Sequence, residues 1–157
     1  MNREARTEDI PFLVEALSKL VSHVQQTTND IYFSNLEEQA PSTVESIFND
    51  ALSDYDSRIL ISEYEGEKAG FIFGRVSKPF LPVSGIEKIG LVEMCWVDQR
   101  HRKKGFSRRL CEDLERWFRS KKLQYADLHF LVGNTEAENS WERLGYKPYR
   151  VTSRKEL

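Results

Sequence analysis

A glycine flanked by cationic side chains lies in the middle of the chain, just after an apolar run. The segment reads Arg102-Lys103-Lys104-Gly105-Phe106-Ser107-Arg108, and an amphipathic helical pattern begins at Phe106. The first turn of a helix carries backbone N–H groups without an intrahelical acceptor, at the positive end of the helix dipole. Gly105 lets a ligand approach the backbone closely, Ser107 is small, and the Arg and Lys side chains supply counter-charge. This segment, the Gly105 loop, is therefore predicted to bind a polyphosphate.

Composition and charge limit the classes of protein to consider. The chain has 157 residues, of which 39% are apolar and 31% charged, so we expect one globular domain spanning residues 1–157. It has no apolar run of about 20 residues, and residues 1–9 alternate charges where a signal peptide would be apolar, so we expect a cytoplasmic protein without membrane contact. A net charge of −2 argues against general nucleic-acid binding. Two cysteines and three histidines without metal-ligand spacing predict no metal site.

Charge is unevenly distributed along the sequence. Residues 24–57 contain seven acids and no Lys or Arg, whereas residues 99–124 contain ten Lys or Arg against three acids. Two readings stay open at this point. The segments are either two solvated helix faces of opposite sign, or one surface for a cation and another for an anion.

The order of predicted elements is β-αα-βββ-α-β-α-β, which indicates an α/β or α+β sheet flanked by helices. Thr7 is the expected N-cap of the first helix, and Ser42 with Glu45 forms a capping-box signature for the second. Residues 65–68 have the length and the glycine of a hairpin loop. The strands are expected at Asn2–Arg6, Arg58–Tyr64, Ala69–Val76, Ile89–Val97, Ala126–Val132 and Tyr146–Thr152, and the later helices from Phe106 and over Glu136–Leu144, the last stopped by Gly145.

Two motifs resemble those of the GNAT N-acetyltransferase superfamily. The Gly105 loop fits the pattern Arg/Gln-x-x-Gly-x-Gly/Ala, with Ser107 at the last position. Asn134-Thr135-Glu136-Ala137 and the segment from Trp141 to Tyr146 are similar to Asn-x-x-Ala followed by Tyr-x-x-x-Gly-Phe. The resemblance implies the GNAT fold, a mixed, mostly antiparallel twisted sheet of six to seven strands with about four helices. It also implies acetyl-CoA as cosubstrate and direct attack by an amine in a ternary complex.

The resemblance assigns roles to individual residues. It places the oxyanion donor and the pantetheine contacts at the backbone near the end of the fourth strand. Asn134 would contact the pantetheine arm or an ordered water, or would only cap the following helix. Trp141 stands where many members carry a tyrosine that protonates the leaving thiolate, and it would pack against the cofactor or the core. The implied coenzyme A contacts are Cys95, Trp96, Val97, Arg102, Lys103, Lys104, Gly105, Phe106, Ser107, Arg108, Asn134 and Trp141.

Transfer from a thioester to an amine needs a base for the amine and a proton for the leaving thiolate. Glu93 is the candidate base, because in a regular strand Leu91, Glu93, Cys95 and Val97 share a face. The alternative is that Glu93 is an exposed strand-edge carboxylate. An indole donates hydrogen bonds but cannot supply a proton near neutral pH, so water or Tyr146 would protonate the thiolate. His101, inside the basic segment, is expected to be solvated.

The sequence also predicts the charge of the acceptor and leaves two alternative functions open. In the family, the first two helices and the loop between them build much of the acceptor pocket, and here that region includes the acid-only stretch of residues 24–57, which predicts a cationic small molecule or peptide. One alternative is a catalytically weak or inactive coenzyme A-binding regulatory module of the same fold. Another treats residues 99–124 as a nucleic-acid arm, although no aromatic stacking platform accompanies it. A homodimer is possible in either GNAT reading, because dimers are common in the family.

Overall fold

Five strands form one sheet in the order β1-β2-β3-β4-β5, in a computed structural model that describes all 157 residues. The first four strands are antiparallel and β5 runs parallel to β4, which confirms the predicted mixed, mostly antiparallel sheet. The elements are β1 Asn2–Glu4, α1 Ile10–Thr28, α2 Ile31–Ser34, α3 Ala40–Ser53, β2 Ser57–Tyr64, β3 Glu67–Ser77, β4 Ile89–Val97, α4 Phe106–Ser120, β5 Ala126–Leu128 and α5 Thr135–Arg143. No helix combines the length and apolar character that crossing a bilayer requires.

The sheet has fewer strands than the six to seven expected. The expected strand Ala126–Val132 ends at Leu128, and the expected strand Tyr146–Thr152 is absent. From Lys147 to Leu157 no backbone N–H donates a hydrogen bond, because the segment runs beside no strand edge. A segment that favours extended backbone forms a strand only where a neighbouring strand edge supplies hydrogen-bond partners.

Local signals located the hairpin turn but not the starts of the first two long helices. Glu65 and Gly66 form a two-residue turn with φ values of +51° and +81°, as hairpin turns of this length require. The expected capping box at Ser42 is wrong, because α3 begins at Ala40 with Pro41 in its first turn, and the Ser42 hydroxyl donates to the carbonyl of Gln39. The first helix begins at Ile10, three residues after the expected cap at Thr7, which lies in a short 3₁₀ turn.

Each face of the sheet is covered by helices around its own apolar core. Helices α1 and α3 cover one face, and α4 covers the other. Gly90 lets α4 lie close to the sheet, because a Cβ there would come within 2.6 Å of the Phe118 ring. The first core comprises Ile10, Leu13, Ala16, Leu17, Phe48, Ala51, Ile59, Ile61, Phe71, Phe73 and Trp96. The second comprises Leu60, Ala69, Ile72, Val92, Val97, Phe106, Leu110, Cys111, Leu114, Trp117 and Phe118.

A buried carboxylate ties β1, α1 and β3 together. Asp9 accepts hydrogen bonds from the Arg3 guanidinium at 2.7 and 2.9 Å and from the Arg6 backbone N–H at 2.8 Å, and Lys68 Nζ lies 2.6 Å away. These partners, led by Arg3, hold the pKa of the Asp9 carboxyl far below its usual value. The ionised carboxylate is therefore a fixed part of the fold at the entry to α1.

Candidate active site

The Gly105 loop presents a continuous row of unpaired backbone donors. Between Lys103 and Arg108, six consecutive N–H groups have no hydrogen-bond acceptor in the chain. Gly105 occupies the N-cap position of α4 with φ +78°, and Lys103 also has a positive φ of +61°. These amides lie where the positive end of the α4 dipole adds to them. The geometry is that of an anion site, and Lys103, Lys104, Ser107 and Arg108 are all exposed around it.

A buried histidine supports the loop from beneath. His101 is 7% exposed, and its ring lies 5.9 Å from that of Tyr64 and 6.0 Å from that of Phe106, in edge-to-face arrangements. The expectation of a solvated His101 is therefore wrong. A run of charged neighbours suggested solvent, whereas the chain turns His101 inward between the hairpin and the first residue of α4.

Arg102 joins the end of β4 to the start of α5. Its guanidinium donates to Glu136 Oε1 at 2.9 Å and to the Val97 carbonyl at 3.2 Å, and it lies 4.7 Å from the centre of the Trp96 ring. Three of the predicted coenzyme A contacts, Arg102, Trp96 and Val97, thus lie together. The Arg102 charge is shared with Glu136, whereas Lys103 and Arg108 have no acidic partner.

The edge of β4 that faces β5 is only partly paired. The parallel strand β5 pairs with β4 at Gly90, Leu91 and Val92 and then ends. From Glu93 to Val97 the same edge has no neighbouring strand, so its backbone groups, apart from the Val97 carbonyl that accepts from Arg102, are available to an extended ligand. Burial raises the pKa of the nearby Cys95 thiol to about 12, so this side chain is neutral at physiological pH.

Glu93 occupies a β-bulge in β4. The pairing with β3 shifts between Phe73–Met94 and Gly74–Val92, which leaves Glu93 without a partner residue. The prediction that Glu93, Cys95 and Val97 share a face is therefore wrong, because the extra residue reverses the alternation. Cys95 and Val97 contact the core under α4, whereas Glu93 pairs with the Arg75 guanidinium on the face covered by α1 and α3.

Three predicted residues lie at the other side of the open strand edge. Asn134 is 7% exposed and caps α5, since its Oδ1 accepts from the Ala137 N–H at 3.3 Å. The Trp141 ring packs edge-to-face on Tyr146 with centroids 5.6 Å apart. The Tyr146 hydroxyl donates to Glu115 Oε1 at 3.2 Å, and burial raises the pKa of Tyr146, which makes it a weaker acid than a free tyrosine.

The sequence reasoning missed the partners of these residues. Arg75 beside Glu93, Glu115 beside Tyr146 and Glu136 beside Arg102 are ordinary surface charges in the sequence. The last two partners lie 31 and 34 residues away from the side chains they bind. No spacing rule reaches that far, so only the folded chain identifies these pairs.

Solved structures share this architecture across their whole length. A tetramutant of the BH1408 protein from Bacillus halodurans has a TM-score of 0.86 at 20% identity, covering 100% of this chain and 99% of that one. The aminoglycoside N-acetyltransferase AAC(6')-Iy in complex with CoA has a TM-score of 0.75 at 13% identity, covering 100% and 99%. Glucosamine-6-phosphate N-acetyltransferase from Arabidopsis thaliana has a TM-score of 0.70 at 21% identity, covering 100% and 97%.

At these identities the structural likenesses establish the fold alone. Among curated proteins, no sequence match is found. The family model described as the acetyltransferase (GNAT) family matches residues 23–146, which contain the whole of the Gly105 loop, the open edge of β4 and both motifs. The chain belongs to the GNAT acetyltransferase family.

Proposed function

We propose that this protein transfers the acetyl group of acetyl-CoA to a primary amine of a cationic small molecule or peptide, by direct attack in a ternary complex. The observation that carries the proposal is the row of six unpaired amides in the Gly105 loop. Family membership supports the reaction class, and the fold is shared with an aminoglycoside N-acetyltransferase in complex with CoA.

The Gly105 loop fits the diphosphate of coenzyme A. Its amides can donate to phosphate oxygens without breaking any bond of the chain, and the absence of a Cβ at Gly105 leaves them accessible. Lys103, Lys104 and Arg108 are exposed and can add counter-charge, and the Ser107 hydroxyl can add a donor. When bound, acetyl-CoA would supply an activated acetyl thioester.

The open edge of β4 is the proposed path of the pantetheine arm. Backbone groups at Cys95, Trp96 and Val97 would hold it from one side, with Asn134 and Trp141 on the other. A backbone N–H of this edge would also donate to the oxyanion that develops on the thioester carbonyl. Support comes from the missing strand partner beyond Val92, since a fully paired edge would have no donors to offer.

Glu93 is the proposed general base. Its carboxylate would accept the proton of the acceptor ammonium, directly or through one water, and so generate the nucleophilic amine. The bulge turns Glu93 toward the face covered by α1 and α3, where the family resemblance implies the acceptor pocket. Arg75 forms an ion pair with the carboxylate and holds it in one orientation.

Water is the proposed proton source for the leaving thiolate. Coenzyme A is a thiol, and with a thiol pKa of about 8.5 it leaves with little assistance. Tyr146, the other candidate, already donates its proton to Glu115 and has a raised pKa. Its hydroxyl is better suited to anchoring the chain after α5 against α4 than to protonating the product.

The acceptor is proposed to be cationic because of the charge on its side of the sheet. Within residues 24–57, Asp30 and Asp56 pair with cations from elsewhere in the chain, whereas Glu37, Glu38, Glu45 and Asp50 have no cationic partner. Their field attracts positively charged ligands and falls with ionic strength. Equal rates at low salt with neutral and polycationic amines would contradict this assignment.

A ligand-shift measurement followed by a turnover assay tests the function. Acetyl-CoA at 100 times its Kd should stabilise the protein by about 2.7 kcal/mol, and thiol release should appear with cationic amines. The alternative, a coenzyme A-binding regulatory module, predicts the same stabilisation with no thiol release for any amine. The presence of Trp141 at the family tyrosine position is the observation that favours this alternative.

A further inference from the structure

The last residues of the chain place a cation on the loop that follows α1. Arg154 Nη1 lies 2.9 Å from Asp30 Oδ2, and its guanidinium carbon lies 4.2 Å from the centre of the Tyr32 ring. The two partners are 124 residues apart in sequence. We call Asp30 and Tyr32 the cation pair, because the carboxylate and the aromatic ring together hold one cation, the Arg154 guanidinium.

The chemistry of the cation pair is specific for positive charge. The Asp30 side chain is only 16% exposed, and Arg154 with the Tyr32 N–H holds the pKa of its carboxyl below the usual value. A carboxylate beside an aromatic face recognises guanidinium and alkylammonium groups through a charged hydrogen bond and a cation–π contact. No Lys or Arg lies between residues 24 and 57, so any cation on Asp30 comes from elsewhere.

The cation pair lies on the acceptor side of the proposed active site. His23 on α1 is 5.9 Å from the ring of Trp96 in β4 and 3.5 Å from the carboxylate of Glu136 in α5. The end of α1 is therefore adjacent to the end of β4. Asp30 follows His23 by seven residues, which places it about 10 Å further along the helix direction.

Arg154 reaches the cation pair on a weakly held segment. No backbone N–H from Lys147 to Leu157 donates a hydrogen bond, and every residue of this segment is exposed. Its other contacts are side-chain ones: Tyr149 contacts Asp127 and the Phe80 ring, and Arg150 lies over the same Phe80 ring. Arg154 can therefore leave the cation pair without disrupting the sheet or either core.

We propose that the cation pair is a subsite for a second positive group of the acceptor, and that Arg154 occupies it until an acceptor displaces it. The inference rests on the proposed function and narrows it to amines that carry another cationic group at a distance. Residues 147–157, the tail, then carry a side chain that competes with the acceptor for the cation pair. This competition lowers the affinity of the protein for every acceptor that needs the subsite.

The test compares a polycationic amine with a monocationic one in the wild type, three single variants and one double variant. Spermidine and a short arginine peptide are the polycationic probes, butylamine is the monocationic control, and the variants are Arg154→Ala, Asp30→Asn and Arg150→Ala. Arg154→Ala should lower the ratio of KM for spermidine to KM for butylamine about fivefold, the size of one partly exposed ion pair. Asp30→Asn should raise that ratio, and Arg150→Ala, a matched loss of charge from the same tail, should not change it.

The double variant isolates competition from a general change in surface charge. If Arg154 acts only by occupying the subsite, Arg154→Ala has no effect on the KM ratio in the Asp30→Asn background. A fivefold effect in both backgrounds, or an equal effect of Arg150→Ala, would overturn the proposal. Comparison of spermidine with the arginine peptide identifies which polycation uses the subsite.

Calorimetry separates this inference from the proposed reaction. Spermidine is titrated into each protein in the presence of coenzyme A. Tighter binding to Arg154→Ala and weaker binding to Asp30→Asn support the subsite even if no amine is acetylated. Turnover with a KM ratio that is unchanged in both variants refutes the subsite and leaves the acetyltransferase intact. Absence of both turnover and Asp30-dependent binding refutes both.

Discussion

Gly105→Ala is expected to weaken acetyl-CoA binding at least about tenfold at a modest cost in stability. With φ at +78°, Gly105 adopts a left-handed conformation that L-residues rarely adopt, and a Cβ there would lie 3.1 Å from the Arg109 guanidinium. That methyl group would also stand among the six unpaired amides where phosphate oxygens must approach. One substitution therefore tests both the backbone conformation and the assignment of the ligand.

The loss of stability and the loss of affinity for acetyl-CoA can be estimated separately. A left-handed conformation costs a non-glycine residue about 1–2 kcal/mol, which lowers the Tm of a domain of this size by about 2–8 °C. Blocking one hydrogen bond to a charged phosphate costs about 1.5–3 kcal/mol. Since each 1.4 kcal/mol is a factor of ten, the Kd for acetyl-CoA should rise at least about tenfold.

Gly66 offers a matched control. Its φ is +81°, close to that of Gly105, and no atom lies within 4 Å of the Cβ it would gain, in a hairpin turn outside the Gly105 loop. Gly66→Ala should therefore lower the Tm by a similar amount and leave the Kd for acetyl-CoA unchanged. Isothermal titration calorimetry gives the Kd values and thermal unfolding gives the Tm values.

Comparison of Gly105→Ala with Gly66→Ala distinguishes blocked amides from general destabilisation as the cause of lost affinity. An unchanged Kd in Gly105→Ala would refute the assignment of the loop as the diphosphate site. An equal loss of affinity in Gly66→Ala would mean that destabilisation, rather than the blocked amides, causes the effect. Either result would remove the main support for the proposed function.

Three further substitutions test the base, the proton donor and the buried carboxylate. Glu93→Gln should lower kcat about 100-fold with an unchanged Kd for acetyl-CoA, as measured by steady-state kinetics and calorimetry. Tyr146→Phe should change kcat by less than about threefold and lower the free energy of unfolding by about 1 kcal/mol, the worth of one hydrogen bond. Asp9→Asn should lower the free energy of unfolding, measured in urea, by about 3 kcal/mol at neutral pH. Because its pKa is depressed in the folded state, Asp9 stabilises fully above the unfolded value of about 3.9, and the difference from wild type should shrink as pH falls below it.

For each of these three substitutions, a specific outcome would contradict the prediction. A Glu93→Gln enzyme with normal kcat would leave the base unassigned and favour water or another group. A loss of about 100-fold in Tyr146→Phe would make Tyr146 the proton donor after all, despite its bond to Glu115. An Asp9→Asn protein whose stability difference stays constant from pH 7 to pH 3 would show that the carboxylate does not titrate below its unfolded pKa.

The sequence predicted the fold class and the unpaired amides of the Gly105 loop, because both depend on local patterns. Apolar spacing located the three central strands and α4, and Gly66 located the hairpin turn. The Gly105 loop combined a strand end, a glycine and a helix start within a few residues, so its unpaired amides followed from the helix geometry. These features need no knowledge of what packs against them.

The tertiary structure decided everything that depends on distant neighbours. No pattern in the β4 sequence predicted the bulge at Glu93. The bulge depends on how β4 pairs with β3, and it places Glu93 on the opposite face of the sheet from the one predicted. The last predicted strand is absent because no sheet edge lies beside it. The contact of Arg154 with Asp30 joins residues 124 positions apart. Periodicity and capping report interactions over a few residues, whereas register, edge pairing and long-range ion pairs are fixed only when the whole chain has packed.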